Sequence, residues 1–375
     1  MNIGIINPKG YLDSESWMPL GITRLGTLLK TKSKLPIEFY DEEIERVPAT
    51  VLHGIDVLLL TGMSHQVDGI RRWARFAKRY GVERVVIGGV HATLMPEDFL
   101  NLDALVVSGP GEKLLDMIVS SKQKGLIKTS WSFDYDEFPW PNRQMFRWEA
   151  YNEKVNKLPA IRVVGAVGCP FSCHYCCNHS LIGRKVLYRD PKKVAEEIEE
   201  SIRVLGIKAV VFAMPAFTMK KDWAYKMCDE LERLKIVWKA TTRVDLLDEP
   251  LIKRMKSAGC IALGFGVESG SNEILKILNK KTTVEQARKT FALCKKNDLD
   301  TWAMFMTHVP GETKKTLKET RAFAKEIDPI LGCTFQRFSP LPGSYFWDNL
   351  SKWGKVVNGR GSGFGIKSFT PKDFL

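Results

Sequence analysis

Two hydrophobic periods alternate along the chain. Short runs that are apolar at consecutive positions occur at Ile3–Ile6, Ile37–Tyr40, Val57–Leu60, Val85–Ile87 and Ala104–Val107. Between them lie stretches with helical spacing at Leu20–Lys30, Val67–Tyr80 and Glu112–Ser121; in the second, Val67, Ile70, Ala74 and Ala77 fall on one face. Strands that are apolar on both faces must be covered on both faces, and intervening helices supply the cover. The pattern predicts an α/β fold that opens with a Rossmann-like, doubly wound parallel sheet. Such sheets bind ligands in the loops at the carboxyl ends of their strands.

The second half repeats the alternation. Strands are expected at Ile161–Val164, Ala209–Phe212, Val237–Thr241, Ile261–Phe265, Thr301–Phe305 and Cys333–Phe338. One helix shows the local logic: Asp190 caps free amides, Pro191 suits a first turn, and Val194, Ile198, Ile202 and Leu205 form one stripe. Six βα units predict a partial (β/α)6 barrel of the TIM type, whose chemistry belongs at the carboxyl ends of the strands.

Charge and composition sharpen this division. Of the 56 Lys plus Arg and 43 Asp plus Glu in 375 residues, residues 1–134 hold 16 of each, so the whole net charge of +13 falls on residues 135–375. The step coincides with Trp131–Trp148, a stretch rich in aromatics and proline without either period. The expected organisation is a first domain over 1–130, a linker over 131–158, a barrel over 159–345 and a basic tail over 346–375. No apolar run approaches the ~18 residues of a membrane helix. The N-terminus has no basic region ahead of its apolar stretch, and the expectation is a cytoplasmic protein. Eight cysteines are too few for a disulfide scaffold of this length.

Three of those cysteines carry the chemistry. The loop after the first barrel strand reads Gly168-Cys169-Pro170-Phe171-Ser172-Cys173-His174-Tyr175-Cys176-Cys177, so Cys169, Cys173 and Cys176 have the spacing C-x3-C-x2-C. Three thiolates on one short loop suit three irons of a cubane [4Fe–4S] cluster and leave the fourth iron open to a small molecule. A structural zinc site would need a fourth ligand, for which His174, His179 or Cys177 are candidates. Cys177 is off the spacing, and Cys228, Cys260, Cys294 and Cys333 lie in helix or strand patterns, where inert thiols are expected.

This loop, after the first strand of a barrel, resembles the signature of the radical S-adenosylmethionine (SAM) family. The resemblance implies that SAM chelates the open iron and is cleaved to a deoxyadenosyl radical with an electron from an external donor of the flavodoxin or ferredoxin type. It places Phe171 and Tyr175 near SAM, Tyr175 at the position that packs by the adenine. Thr241-Thr242-Arg243-Val244-Asp245 resembles the strand whose arginine pairs with the SAM carboxylate. Phe265-Gly266-Val267-Glu268-Ser269-Gly270 resembles the segment whose glutamate contacts the ribose or methionyl end. His308-Val309-Pro310-Gly311-Glu312-Thr313 resembles the family's Gly-x-Pro-Gly-Glu-Thr turn, and places Pro310 and Gly311 by SAM. Ser339-Pro340-Leu341-Pro342-Gly343-Ser344 resembles the turn after the last strand. One position departs: the family often has Asp-Asp-x-x-Phe after the second strand, and this chain has Met214-Pro215-Ala216-Phe217.

The first domain resembles the cobalamin-binding domain that precedes the barrel in one large radical SAM subfamily. The resemblance rests on Pro19-Leu20-Gly21-Ile22, on Gly88-Gly89-Val90-His91-Ala92-Thr93 with Pro96-Glu97, and on Ser108-Gly109-Pro110-Gly111-Glu112, with Thr61-Gly62-Met63-Ser64 on the same edge. It implies a cobalamin site at Leu20, Gly21, Thr61, Gly62, Met63, Gly88, Gly89, His91, Ala92, Thr93, Gly109 and Glu112. No histidine stands in an Asp-x-His-x-x-Gly context, so a histidine-off cobalamin is expected; for His91 loop hydrogen bonding is favoured over a place by the lower face.

Together these resemblances imply a cobalamin-dependent radical SAM methyltransferase acting on an unactivated sp3 carbon. The basic half suggests an acidic or extended substrate, such as a residue in a protein or peptide, for example a modification like those of methyl-coenzyme M reductase. No nucleic acid or membrane partner is expected. A cyclase or rearrangement enzyme acting on a tetrapyrrole or natural product keeps both cofactors, and a non-catalytic iron–sulfur protein keeps only the cluster. Two near-motifs are set aside. Gly359 to Ser368 fails as a phosphate loop because Ile366 replaces the glycine before Lys367, and the first domain has no G-x-G-x-x-G fingerprint.

Overall fold

The computed structural model describes residues 1–10, 17–358 and 367–372, and the chain divides into two units, the first of Met1–Asn152 with Ser180–Ile182 and the second of the other described residues from Glu153 on. In the first, six strands run β1 (Ile3–Asn7), β2 (Ile37–Asp41), β3 (Val57–Thr61), β4 (Arg84–Gly88), β5 (Leu105–Ser108) and β6 (Gly125–Lys128). Their order is β2-β1-β3-β4-β5-β6 and every pairing is parallel. Helices α1 (Leu20–Ser33), α2 (Val67–Arg79), α3 (Val90–Leu94) and α4 (Leu115–Ser120) make the crossovers. Alternate strand residues feed two separate cores. Ile3, Ile5, Val57 and Leu59 pack with Leu28, Leu29 and Ile118, whereas Ile6, Leu58 and Leu60 pack with Ile70 and Trp73 on the other face. The chain reverses direction across the sheet between β1 and β3, which opens the crevice of a doubly wound fold at their carboxyl ends.

β6 lies beyond the five strands expected for this unit; Gly-Leu-Ile-Lys is too short to show a period. The segment read as a linker belongs, up to Asn152, to the first unit. It is fastened there by specific bonds: Tyr151 OH donates to the fully buried Asp41 at 2.6 Å, Asn142 N to Thr27 Oγ1 at 2.8 Å, and Arg24 Nη2 to the Tyr135 carbonyl at 2.6 Å. Aperiodic segments can be ordered by such bonds without leaving a hydrophobic period.

The second unit opens with a short antiparallel hairpin, β7 (Lys154–Val155) with β8 (Leu158–Val163). After β9 (Ala166–Val167), α5 (Asn178–Ile182), β10 (Leu187–Tyr188) and α6 (Pro191–Leu205), βα alternation continues through β11 (Ala209–Phe212), α7 (Lys221–Leu234), β12 (Val237–Thr242), α8 (Glu249–Ser257) and β13 (Cys260–Glu268). It ends with α9 (Asn272–Ile277), α10 (Val284–Lys296), β14 (Asp300–Thr307), α11 (Lys314–Ile327) and β15 (Cys333–Arg337). The sheet order β15-β14-β13-β12-β11-β8-β7 contains all six expected barrel strands, parallel and in sequence, in a curled half-barrel. The caps follow the local sequence: Asp190 accepts the Lys192 amide before Pro191, and Gly206 closes α6 at φ 66°.

The described parts of the proposed tail are folded. They form α12 (Tyr345–Asn349) and a hairpin of β16 (Gly354–Asn358) with β17 (Lys367–Pro371). Phe346, Leu350 and Phe369 bury themselves against Val309 and Phe338, so the hydrophobic residues of this segment outweigh its basic composition. Residues 359–366 of the Gly-rich stretch lie outside the described residues.

Candidate functional site

In the second unit the cysteine loop is an excursion closed at its base. Val167 pairs with Leu187 and Ala166 with Tyr188, so β9 and β10 clasp the chain before Gly168 and after Val186. Cys173 is buried, and Cys169 and Cys176 are half-buried. Cys176 N donates to the Cys173 carbonyl at 3.1 Å, which turns the second and third thiols towards the same region. Burial and the neighbouring sulfurs push the Cys176 thiol up to about 12; burial also raises Cys169. Such thiols ionise when a metal takes the place of their protons. Among the described residues no three His, Cys, Asp or Glu side chains surround a single-ion position. The donor set, three thiols on one short loop, fits ligands that each bind a different iron of a cubane.

The loop is supported from outside by the segment after α9. His174 donates through its backbone N to the Leu278 carbonyl at 2.9 Å and through Nδ1 to the Ile277 carbonyl at 2.8 Å. Asn279 Nδ2 donates to Ser172 O at 2.7 Å. From the other side, Phe346 N donates to the His174 carbonyl at 3.1 Å, and the Tyr345 ring stacks on His174 at 4.1 Å.

Arg243, Glu268 and Tyr175, assigned to SAM from the sequence, gather around this loop. Arg243 follows β12, is 5% exposed, and stacks over the Phe171 ring at 3.9 Å. Its Nε and Nη2 each meet Asp245 at 2.9 Å, Nη2 also reaches the Lys280 carbonyl at 2.8 Å, and Nη1 faces Cys173 Sγ at 3.9 Å. The outward nitrogen thus points at the thiols with a fixed planar fork behind it. Glu268 ends β13, where the pairing register with β14 slips between Gly266 and Glu268. Its backbone is left-handed, at φ 69°, and its carboxylate folds back over Gly266, where a Cβ would lie 2.5 Å from Oε1. A side chain there would displace the carboxylate from this position. Glu268 Oε1 accepts the Tyr175 hydroxyl at 2.9 Å, and burial with that carboxylate raises the phenol well above its ordinary value.

Lys280 completes the group and was not singled out by sequence. Its Nζ lies 2.9 Å from Glu268 Oε1 and 3.0 Å from Tyr175 OH. The signal that could have found it is Asn279-Lys280-Lys281 directly after a helix, with Asn279 and Lys281 both at positive φ.

Pro310 and Gly311 sit farther back. Pro310 is buried, and a Cβ on Gly311 would meet Ile277 Cδ1 at 2.6 Å, so the turn packs against the apolar cluster that also receives Tyr175. Within the same motif, Thr313 caps α11 by accepting the Thr316 amide at 3.1 Å. Met214, Ala216 and Phe217 are buried, and Phe217 N bonds the Thr241 carbonyl, so the departure from the acidic family pattern is an apolar turn tied to β12. Cys228, Cys260 and Cys294 are buried in helices and strand, with thiols pushed up by burial.

In the first unit, the residues assigned to cobalamin line the carboxyl edge of the sheet. Gly21 and Gly88 face open space where a Cβ would stand, and Met63 is 42% exposed. Gly89, at φ 94°, brings its backbone against Thr61 and Gly62; a Cβ would lie 2.5 Å from Thr61 Oγ1. Thr93 Oγ1 accepts the Gly109 amide at 3.1 Å, and Glu112 lies 3.6 Å from the buried Arg24 guanidinium. These contacts stitch three strand-end loops into one cradle, and its open glycine positions fit a large planar ligand. Two assigned residues do not face it. Ala92 and His91 are fully buried, and both His91 nitrogens are engaged, Nδ1 with Ser64 Oγ at 3.0 Å and Nε2 with Asp98 Oδ2 at 2.8 Å. His91 braces the loops from within the protein, and burial holds its imidazole below the ordinary range.

Comparison with known proteins divides the chain in the same way. Residues 17–119 match the B12 binding domain and residues 163–324 match the Radical SAM superfamily. An uncharacterized methyltransferase of Pyrococcus horikoshii is 30% identical over 289 residues, 70% of this chain and 62% of that protein. The anaerobic magnesium-protoporphyrin IX monomethyl ester cyclase of Rubrivivax gelatinosus is 28% identical over 394 residues, 93% of this chain and 70% of that protein. The chain therefore spans less than two thirds of the first relative's length. Among solved structures, the radical S-adenosylmethionine methyltransferase TsrM from Kitasatospora setae, with cobalamin and [4Fe-4S] cluster bound, superposes with a TM-score of 0.74 at 17% identity, covering 94% of this chain and 74% of that one. No helix among the described residues is long and apolar enough to cross a membrane.

Proposed function

The chain belongs to the radical SAM family whose members carry a B12 binding domain, and from that premise we propose that it is a cobalamin-dependent methyltransferase acting on an unactivated sp3 carbon. The observation that carries this reading is the presence in one chain of a three-thiol loop at the carboxyl end of the first barrel strand and a glycine-lined cradle at the edge of a doubly wound sheet.

The cofactors of the reading are a [4Fe–4S] cluster on Cys169, Cys173 and Cys176, SAM, and cobalamin. When bound, the cluster supplies the electron that cleaves SAM, and cobalamin carries the methyl group. The protein's own part is binding and orientation. Arg243 Nη1 is placed to pair with the SAM carboxylate beside Cys173, and the Phe171 ring holds the guanidinium plane. Tyr175 and Glu268 form one hydrogen-bonded unit for the adenosine end. The apolar turn Met214–Phe217 offers no acid for the SAM amine. Commitment of both His91 nitrogens inside the first unit supports the histidine-off state.

An external electron donor of the flavodoxin or ferredoxin type is part of the reading. For the substrate, the excess of 40 basic over 27 acidic residues in 135–375 favours an acidic or extended molecule, and we take a residue within a protein or peptide as the target. The similarity to a magnesium-protoporphyrin ester cyclase over 93% of the chain favours a second reading, ring closure or rearrangement on a tetrapyrrole with the same cofactors.

Product mass separates the two. The protein is purified anaerobically, loaded with cluster and cobalamin, reduced, and incubated with SAM and candidate peptides or tetrapyrroles. Methylation adds one methyl group to the product, and the gain disappears in Cys173→Ala. A product without that gain favours the cyclase. Deoxyadenosine formation without cobalamin binding sinks the methyltransferase reading.

A further inference from the structure

Four consecutive residues, from the last residue of α9 to Lys280, reach the cysteine loop, Arg243, Glu268 and Tyr175. The carbonyls of Ile277 and Leu278 and the amide of Asn279 hold the cysteine loop, as described above. Lys280 then works at both ends of its own structure: its carbonyl accepts Arg243 Nη2 at 2.8 Å, and its ammonium meets Glu268 Oε1 and Tyr175 OH at 2.9 and 3.0 Å. Three strands' worth of chemistry therefore converges on one residue.

Charge explains why that residue should be a lysine. Arg243 already faces a carboxylate of its own, Asp245, through two bonds. Glu268 is 9% exposed, and its ion pair is with Lys280, itself 5% exposed. A buried carboxylate has lost its hydration, which favours its withdrawal to solvent unless a counter-ion compensates. The Lys280 ammonium at 2.9 Å supplies that compensation. Geometry points the same way. The Glu268 carboxylate is turned back over Gly266, whose missing side chain would otherwise lie 2.5 Å from Oε1 and 3.1 Å from Lys280 Nζ. A left-handed backbone is strained for glutamate, and the ion pair to Lys280 is a specific attraction that holds it there.

We propose that Lys280 is a positioning residue of the SAM site: it fixes the Glu268 carboxylate and the Tyr175 ring in the arrangement that receives the adenosine end, and it balances the charge of Glu268 beside the thiols. The proposal rests on the reading of this site as a SAM site. Lys280 acts through Glu268 and Tyr175, and the role does not require contact with SAM.

The test uses the full chain, reconstituted anaerobically with its cluster, in four forms: wild type, Lys280→Met, Glu268→Gln and the double variant. Iron and sulfide content reports the cluster, the change in the reduced cluster's electron paramagnetic resonance spectrum on titration with SAM reports binding, and thermal melting of the cluster-free protein reports stability. Lys280→Met is expected to weaken SAM binding at least tenfold and to lower the melting midpoint, because it leaves Glu268 buried without a counter-ion. The double variant removes both charges. It is expected to recover at least half of the lost midpoint while binding SAM no more tightly than Glu268→Gln alone. A merely structural lysine would not give that pattern. Should Lys280→Met fail to take up cluster, the double variant carries the test. Wild-type SAM affinity in Lys280→Met or in the double variant, or additive losses of midpoint, would overturn the proposal. If wild-type protein with full cluster shows no response to SAM, the functional reading fails, and the melting cycle still decides whether Lys280 balances Glu268.

Discussion

The Arg243 guanidinium lies over the Phe171 ring, 3.9 Å from its centre, with Nη1 at the same distance from Cys173 Sγ. One arginine thereby joins the cysteine loop to the end of β12. Its two bonds to Asp245 and the bond to the Lys280 carbonyl leave little freedom of orientation.

Arg243→Lys retains the charge and loses the fork and the stacking surface. A lysine cannot bond both Asp245 oxygens in one plane while reaching the thiols. SAM affinity is expected to fall roughly tenfold or more, corresponding to about 1.4 kcal/mol or more, with cluster content preserved. Titration of the reduced, cluster-loaded variant with SAM measures it. Unchanged affinity would exclude Arg243 from SAM binding.

His91 provides a contrast between structural and ligand roles. His91→Ala deprives Ser64 and Asp98 of a buried partner, and the first unit should lose about 1–3 kcal/mol in denaturant unfolding. The absorption and paramagnetic spectra of bound cobalamin are expected to keep the wild-type form. A change at the lower axial position would show that His91 leaves its pocket to reach cobalt.

Glu312 gives a dependence on pH of defined sign. It is 1% exposed, its Oε2 accepts the His308 amide, and burial pushes its carboxyl up to about 7. Between the unfolded value of 4.5 and about 7, the native protein keeps a proton that the unfolded chain has released. Stability from this group is therefore full below 4.5 and is lost as pH rises towards 7, by at most about 3 kcal/mol. Glu312→Gln retains the bond from His308 without titrating. Denaturant midpoints measured from pH 4 to 8 should show a smaller decline in this variant than in wild type; parallel profiles would refute the assignment.

The cysteines divide by reactivity. In native, cluster-free protein, iodoacetamide should label the half-buried Cys169, Cys177 and Cys333 first, Cys176 more slowly because burial pushes its thiol up, and leave Cys228, Cys260 and Cys294 unmodified until unfolding. After cluster loading, Cys169, Cys173 and Cys176 should be protected and Cys177 should still react. Peptide mass mapping reads each site. Protection of Cys177 would point to a fourth protein ligand.

Much of this arrangement was legible in the sequence because its elements repeat. The barrel strands announced themselves as apolar runs, and β11 begins and ends where its pattern predicts, at Ala209 and Phe212. The cysteine spacing, Arg243 and Glu268 sit at strand ends, where local sequence implies position. What escaped notice depends on distant pairings. Tyr151 looks like part of an aperiodic linker until Asp41, 110 residues away, accepts its hydroxyl. Lys280 looks like one of many basic residues until the fold places it against Glu268 and Tyr175, the latter 105 residues away. His91 shows the opposite case: its motif favours loop hydrogen bonding, and both nitrogens are so engaged, although the partners Ser64 and Asp98 could not be named from the sequence.

The clasp between β9 and β10 also sets how the cysteine loop can move. Two paired residues on each side hold the ends of the excursion together, so the segment between them can open and close while the parallel sheet stays intact. The bonds from His174 and Ser172 to the segment after α9 lie outside that sheet, and amides held by such bonds exchange with solvent through local opening. Because the ends of the loop are already joined, ordering it costs little closure entropy. Ligation of a cluster by its three thiols would hold it further, and hydrogen exchange in this segment should slow on cluster loading while the strands beneath it keep their rates.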